Sequence, residues 1–468
     1  MPGMGIPVST SLCWGLTCWL KVGGLHAILM GVRTFKCAVL YKYRPISLTS
    51  VVCRLLERII HGQIHEHLQR NTIISSAQHG FVHKRSTQTQ QICFLNDLTS
   101  FFDNNQQVDI VYLDFSKAFD KVSHSRLMKA LSHYKVHPIL LNWIQNYLSQ
   151  RSQSTLVDGA FSSSTLVLSG VPQGSVLGPL LFSIYIQDLI NTVSKECKLT
   201  TIYAFADDIK LLSTSSSDIQ KALTIVQSWV NNWKLDLNSK KSEHLTIRNK
   251  NSLDLYLHHQ VIPKVDEVRD LGLTLTNKLK WDSYINKTRS KCNVLSHIIL
   301  KSFSTQNTSL LINLFKTYVR PIIEFNTSSW SPHLKTEIQL AESVQRTFTR
   351  KLCQRANISF IDYDDRLEKL NLESLHSRRI KNDLKLLYKI IHGLVDIQFN
   401  NFFKFTSHGG HNLRRHNQQI ARHKPSKTLT GQNFFARRVV SVWNSLPSDI
   451  VNSASFNIFK SKLQKFSF

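Results

Sequence analysis

The chain has 468 residues, 42% hydrophobic and 10% aromatic, with 58 Lys+Arg against 31 Asp+Glu and a formal net charge of +27. That apolar content is too high for a disordered basic tail, and at about 150 residues per domain the length predicts roughly three folding units. The charge excess favours a polyanionic partner, nucleic acid ahead of an acidic membrane surface.

The eight cysteines form no CxxC pair and stand at no zinc-finger spacing with His. This argues against a zinc module or a disulfide scaffold and for a reducing, intracellular home. Met1–Leu20 lacks charge, but Pro, Gly, Ser and Thr run through it without a basic leader, and Lys21 and His26 interrupt the residues after it. It reads as neither signal peptide nor membrane span, and no later stretch is apolar for 18 residues.

Residues 1–40 show no period and stay unassigned. From Tyr41 to about Arg289 helical and strand patterns alternate, as in an α/β or α+β domain. Ile110–Leu113 is an apolar, strand-like run after the polar residues 104–107. Helices are predicted around Ser125–Tyr134 and Pro138–Gln150. Thr155–Val157, Asp158-Gly159 and a second run read as a β-hairpin. Pro179 stands where a helix begins, ahead of Leu180–Thr192. Asp218–Trp233 is amphipathic, with Ile219, Ala222, Leu223, Val226, Trp229, Val230 and Trp233 on one face and Ser217 as candidate N-cap. From about Ser290 to Gly393 the pattern is mostly helical. Thr406–Lys427 is polar and reads as a loop or linker. Residues 300–468 carry 26 Lys+Arg against 11 Asp+Glu, a net +15.

The sharpest chemical feature is Phe205-Ala206-Asp207-Asp208, flanked by apolar runs, so that a hairpin turn presents two adjacent carboxylates. An Asp-Asp pair at a turn is usually only solvated. It gains meaning if the strand ending at Asp114 lies alongside, because three clustered carboxylates repel unless cations sit among them. Mg²⁺ takes such oxygen ligands, and two ions can activate a hydroxyl and stabilise a leaving pyrophosphate.

Seven motifs in order carry a resemblance. Tyr43-Arg44-Pro45-Ile46-Ser47-Leu48 comes first, then Gln78-His79-Gly80-Phe81 with Ser86-Thr87. Leu113-Asp114-Phe115-Ser116-Lys117-Ala118-Phe119-Asp120 and the run Gly170–Pro179 follow, then Phe205-Ala206-Asp207-Asp208, Leu237-Asn238 with Lys241, and Leu271-Gly272. Together they resemble the reverse transcriptases of non-LTR, LINE-like retrotransposons, in particular the Jockey-like group. Val319-Arg320-Pro321, Trp330-Ser331-Pro332, Arg378-Arg379 and Trp443–Pro447 are similar to the stretch after the palm in these elements.

The resemblance implies an α+β right-hand polymerase: fingers, a palm with an antiparallel sheet, and a thumb, followed by a mostly helical basic carboxy-terminal region. On this reading 1–40 is unassigned, 41–289 holds fingers and palm, 290–400 a thumb-like helical region and 401–468 a basic extension. It implies RNA-directed DNA synthesis from a primer 3′-hydroxyl with deoxynucleotides, using two Mg²⁺ ions, with Mn²⁺ as the alternative. Asp114, Asp207 and Asp208 would bind the metals. Phe115 and the backbone near it would help hold the triphosphate. Arg44 is either a triphosphate contact or a surface arginine near a turn. Gln173 and Gly174 either floor the nucleotide site or form a simple turn. Lys241 either serves the leaving pyrophosphate or is a solvated lysine.

Phe119 would abut the sugar and exclude a 2′-hydroxyl, or simply fill the core, or both. Phe205, Leu271 and Gly272 would touch template or primer. Asp120 reads as structural. Phe402, Phe403, Phe405 and Trp443 either stack on bases or pack the core. His408, His411, His416 and His423 lack the partners of a metal set.

The implied partners are RNA template, DNA primer and dNTP, with an endonuclease in another protein and no membrane. Location is nuclear or cytoplasmic. Forty residues cannot hold the endonuclease domain that precedes the polymerase in such elements, so an amino-terminally truncated copy is expected. A catalytically silent remnant that binds nucleic acid stays open as the alternative.

Overall fold

The structure, a computed structural model, describes residues 46–157, 159–248, 253–359, 362–406, 416–466 and 468. Arg44, His408 and His411 therefore lie outside the described residues.

Two helices open the fold. In α1 (Val51–Arg70), Ser50 caps the amino terminus, and Glu57, Ile60, Ile64 and Leu68 are buried at helical spacing. In α2 (Thr87–Asp103), Ser86 and Thr89 form a reciprocal capping box. Strand β1 (Val108–Leu113) follows. A 3₁₀ turn at Ala118–Lys121 leads to α3 (His124–His133) and α4 (Pro138–Leu148). Two small hairpins come next. Here β2 (Ser152–Gln153) pairs with β5 (Thr165–Leu166) around β3 (Leu156–Val157) and β4 (Ala160–Phe161), placing the predicted hairpin where the sequence indicates.

Helix α5 (Gly178–Glu196) carries a proline in its first turn and twelve buried residues, so it is apolar nearly all round and runs through the core. Strands β6 (Thr200–Phe205) and β7 (Asp208–Ser213) form a tight hairpin. Helix α6 (Ser216–Trp233) is the predicted amphipathic segment. Its N-cap is Ser215 rather than Ser217, because the Ser215 hydroxyl accepts from the Asp218 N–H. Strand β8 (Glu243–Ile247) completes a four-stranded sheet of order β6-β7-β1-β8, antiparallel throughout. Two more hairpins follow: β9 (Tyr256–Leu257) with β10 (Gln260–Val261), and β11 (Glu267–Asp270) with β12 (Leu273–Thr276).

Alternation along the strands assigns side chains to the two faces. Val111, Leu113, Ile202, Ala204, Ile209 and Leu211 pack with α3, α5 and α6 in one core. Ile110, Tyr203, Leu212 and Leu245 pack on the other side with Phe94, Leu95 and Leu98 of α2. Burial on both faces explains why β1 reads as an unbroken apolar run.

The remainder is helical: α7 (Asp282–Ser302), α8 (Thr308–Leu314), a π turn at Phe315–Val319, α9 (Arg320–Ile323), α10 (Lys335–Arg355), α11 (Tyr363–Lys369) and α12 (Leu375–Ile391). The end of the chain adds α13 (Leu429–Gln432), α14 (Phe435–Ser445), α15 (Ser448–Val451) and α16 (Phe456–Lys465). Helix α7 spans the boundary drawn at 289. One core joins Phe94 of α2 to Leu463 of α16, so residues 416–466 pack into the body. Phe402, Phe403 and Trp443 are buried there and are not available to stack on bases, and Phe405 stacks on Phe399 with centroids 4.4 Å apart. Among the described residues no helix is long and apolar enough to cross a membrane.

Candidate active site

Strand register brings the predicted carboxylates together. Leu113 pairs with Ile209 across β1 and β7, so Asp114 and Asp208 stand one step further along the same two strands. Phe205 pairs with Asp208, leaving Ala206 and Asp207 as a two-residue turn. Ala206 takes a φ of +57°, a conformation in which such turns usually place glycine. Asp207 is half-buried, Asp208 exposed and Asp114 half-buried.

A strap holds the turn. Gln78 bridges to Ala204, and its Oε1 accepts from Gly80 N–H at 2.8 Å and Ala206 N–H at 2.9 Å. The His79 N–H donates to the Ala204 carbonyl at 2.8 Å. Gly80 lies so close that a Cβ there would stand 2.3 Å from the Ala206 nitrogen. Burial pushes the His79 imidazole down to about 3, with Arg85 adding to the effect, and its Nδ1 lies 2.8 Å from the Thr89 hydroxyl. Arg85 anchors the strap by donating to the carbonyls of Ser75 and Gln78, both at 2.6 Å.

Below the turn, Lys210 is buried and ion-paired with Asp270, its ammonium 3.9 Å from the Phe94 ring centroid. Burial lowers its pKa, while Asp270 and then Asp208 act to raise it. The Asp114 carbonyl accepts from Asn238 N–H at 2.8 Å, and Phe115, buried, bridges to Leu237. The Leu237-Asn238 motif thus clamps the end of β1.

Phe119 is half-buried between two rings. It stacks on Phe182 with centroids 4.4 Å apart and meets Phe81 edge-on at 6.4 Å. Gln173 donates to the Asp120 carboxylate at 2.7 Å, and its carbonyl accepts from Ser47 N–H at 2.7 Å. Gly174 has a φ of +96°, and a Cβ there would touch Ile46 at 3.0 Å. Lys241 is exposed. Leu271 and Gly272 make the β11–β12 turn, both at positive φ, with Gly272 against the Phe325 ring. His416 is buried with Nε2 3.0 Å from the Trp443 carbonyl, and His423 lies against Phe403.

Three positioning residues emerge only in the folded chain. Gln78 and Gly80 belong to a motif whose members carry no individual role in the sequence reading. Glu57 accepts from the N–H groups of Val176 and Leu177 at 2.7 and 3.1 Å, at the start of α5. Its phase with Ile60, Ile64 and Leu68 is the available signal, since an acid on a buried face needs a partner.

A hard divalent cation fits this donor set. All three candidates are carboxylates, and among the described residues no lysine or arginine is ion-paired with Asp114. Among those residues no three His, Cys, Asp or Glu already close into a metal cage. Mg²⁺ is commonly held by one or two carboxylates completed by substrate phosphates.

The site is thus a helix-backed antiparallel sheet with carboxylates at a hairpin turn and at the neighbouring strand end. Residues 36–275 match the family described as reverse transcriptase (RNA-dependent DNA polymerase). The chain belongs to that family, and its relatives place it with the LINE-like, non-LTR elements. It is 25% identical over 319 residues to a probable RNA-directed DNA polymerase from transposon X-element of Drosophila melanogaster, covering 66% of this chain and 35% of that one. It is 28% identical over 263 residues to the corresponding protein of transposon BS (53% and 29%), and 26% over 328 residues to that of mobile element jockey (66% and 35%), both from the same fly. The chain spans about a third of the length of these curated relatives.

Proposed function

We propose that this chain is an RNA-directed DNA polymerase, extending a primer 3′-hydroxyl with deoxynucleotides along an RNA template. The observation that carries the reading is the register of Asp114 with the Asp207-Asp208 turn, inside a chain of the reverse transcriptase family. Divalent metal, Mg²⁺ first and Mn²⁺ as the alternative, would be held by Asp114, Asp207 and Asp208. Bound there it would supply Lewis-acid stabilisation of the attacking and leaving oxygens.

The chain's own residues would orient the substrate. The clamped backbone at Phe115 and Ser116 offers a rigid edge beside the carboxylates. Phe119, immobilised by Phe182 and Phe81, presents a ring that cannot retreat from a sugar 2′-hydroxyl. Gln173, fixed by Asp120, and Gly174, packed against Ile46 and Ser47, would floor the nucleotide. Leu271 and Gly272 would meet the primer, and Arg44 and Lys241 the triphosphate and leaving pyrophosphate. The primer would be nicked DNA in the nucleus.

Primer extension on an RNA template with Mg²⁺ tests this. Incorporation of dNTP well above NTP is expected, and Phe119→Val should narrow that preference by about 10–200-fold, the scale at which pocket shape discriminates. Binding of the duplex without any incorporation would sink the enzymatic reading.

A further inference from the structure

Arg378 and Arg379 are neighbours on α12 with opposite fates. Arg378 is ion-paired with Glu324 and lies near Glu373. Arg379 is 2% exposed, and its Nε and Nη2 are buried without a hydrogen-bond partner. Arginine stays charged in proteins. A buried, unpaired charge is costly, so a counter-anion is expected.

Among the described residues no carboxylate is ion-paired with Arg379, although Glu342, Asp383 and Glu324 act on it through space. Glu342, the carboxylate with the strongest effect on it, spends its oxygens on the Tyr363 hydroxyl and the N–H groups of Leu375 and His376. Asp383 gives both oxygens to Arg438, at 2.8 and 3.0 Å. Glu324 is held by Arg378. Outside the described residues the sequence has one acidic side chain, Asp158. It links β3 to β4, and neither strand lines the cavity beside Arg379.

That cavity has a volume of about 230 Å³. Its polar wall is Arg379, Arg438, Ser331, His333, His376 and Asn433, together with Asp383, whose two oxygens are taken by Arg438, and the rest is aliphatic. It is smaller than the roughly 300 Å³ at which pockets begin to enclose a drug-sized ligand, so it suits one compact anionic group. Ser331 and Arg379 belong to motifs that resemble the family yet take no part in the polymerase site.

We propose that this cavity is a phosphate-binding site in which the Arg379 guanidinium forks onto phosphate oxygens and Ser331 and Asn433 offer neutral hydrogen bonds. A guanidinium fork matches phosphate geometry. The net +15 of residues 300–468 draws phosphate-bearing polyanions toward this part of the chain. The source is an RNA phosphate or free orthophosphate. The site does not depend on polymerase activity.

The test is thermal unfolding of the full chain in phosphate against chloride at matched ionic strength. Phosphate should raise the wild-type midpoint in a saturable way, and Arg379→Met should weaken that response at least tenfold. In chloride Arg379→Met should melt no lower than wild type, since it removes an uncompensated charge. Ser331→Asp, which supplies an internal anion, should melt higher in chloride and lose the phosphate response. A wild-type midpoint equal in both salts, an undiminished response in Arg379→Met, or a marked drop of Arg379→Met in chloride would each overturn the proposal. A short RNA with a 5′-phosphate, compared with its 5′-hydroxyl form, separates the sources. Tighter binding of the phosphorylated RNA that vanishes in Arg379→Met assigns an RNA end. Equal binding of the two RNAs alongside a phosphate-dependent midpoint assigns free phosphate.

Discussion

His79 shows how a single buried side chain couples the site to pH. Its imidazole is held neutral in the folded chain, with a pKa near 3 against an ordinary value of 6.5. Between those values the unfolded chain binds a proton that the folded chain does not, so stability falls as pH drops from 6.5 toward 3. His79→Asn removes that titration. Denaturant unfolding across this window should give a shallower slope for the variant, by at most about 1.4 kcal/mol per pH unit for one proton. Identical slopes would mean that His79 is not held neutral. That Asp114 and the Asp207-Asp208 turn stand together is legible without the structure, from the apolar runs that end at them. Gln78 is not, because a glutamine that satisfies two backbone N–H groups leaves no periodicity or charge signature in a sequence.

At the scale of elements, the site is a hairpin turn pinned by a strap rather than by its own propensity. The sequence announces the β6–β7 hairpin through apolar runs around Asp207-Asp208, and β1 and α6 through their patterns. Each of these rests on local periodicity, which survives in any tertiary context. The strap does not, because Gln78–Phe81 is neither helical nor strand-like and acquires meaning only against Ala204 and Ala206. Gly80 is its contact point. Gly80→Ala places a methyl against backbone, which cannot step aside. It should cost about 1–3 kcal/mol of stability, in the range of overpacked cores, and displace the turn. Unfolding and incorporation measured on the same preparation should both fall, and an unchanged pair would show that the strap is loose.

At the scale of the whole molecule, the basic carboxy-terminal part is bound to the strap and to α2 along two seams. Arg85, which anchors the strap, is ion-paired with Asp396 beyond α12. Asp103, at the end of α2, accepts from Ser426, Thr428 and Arg437. The polar composition of 416–427 suggests a linker, yet His416, Ile420 and Ser426 are buried. Such contacts join residues more than 300 positions apart and cannot be read from local pattern. Asp103→Ala should leave these donors unpaired, at about 1–3 kcal/mol for buried groups. Hydrogen exchange across 416–445 should then quicken by about tenfold or more while the β6–β7 hairpin keeps its protection. Equal rates in the two proteins would detach the tail from this seam.

On the proposed function, the net charge of +27 and the carboxylate turn would serve one purpose from opposite ends, a basic body to hold a polyanion and an acidic point at which to extend it. The most direct measurement compares wild type, Asp114→Asn and Asp207→Asn on one RNA template with a DNA primer, reading duplex affinity and single-turnover dNTP incorporation together. Wild type should extend the primer. Both variants should keep duplex affinity within about twofold and lose about a thousandfold or more in rate, as expected for groups that act on developing charge. A wild type that binds and does not extend, or variants that extend as well as wild type, would contradict the assignment of these carboxylates as the polymerase centre.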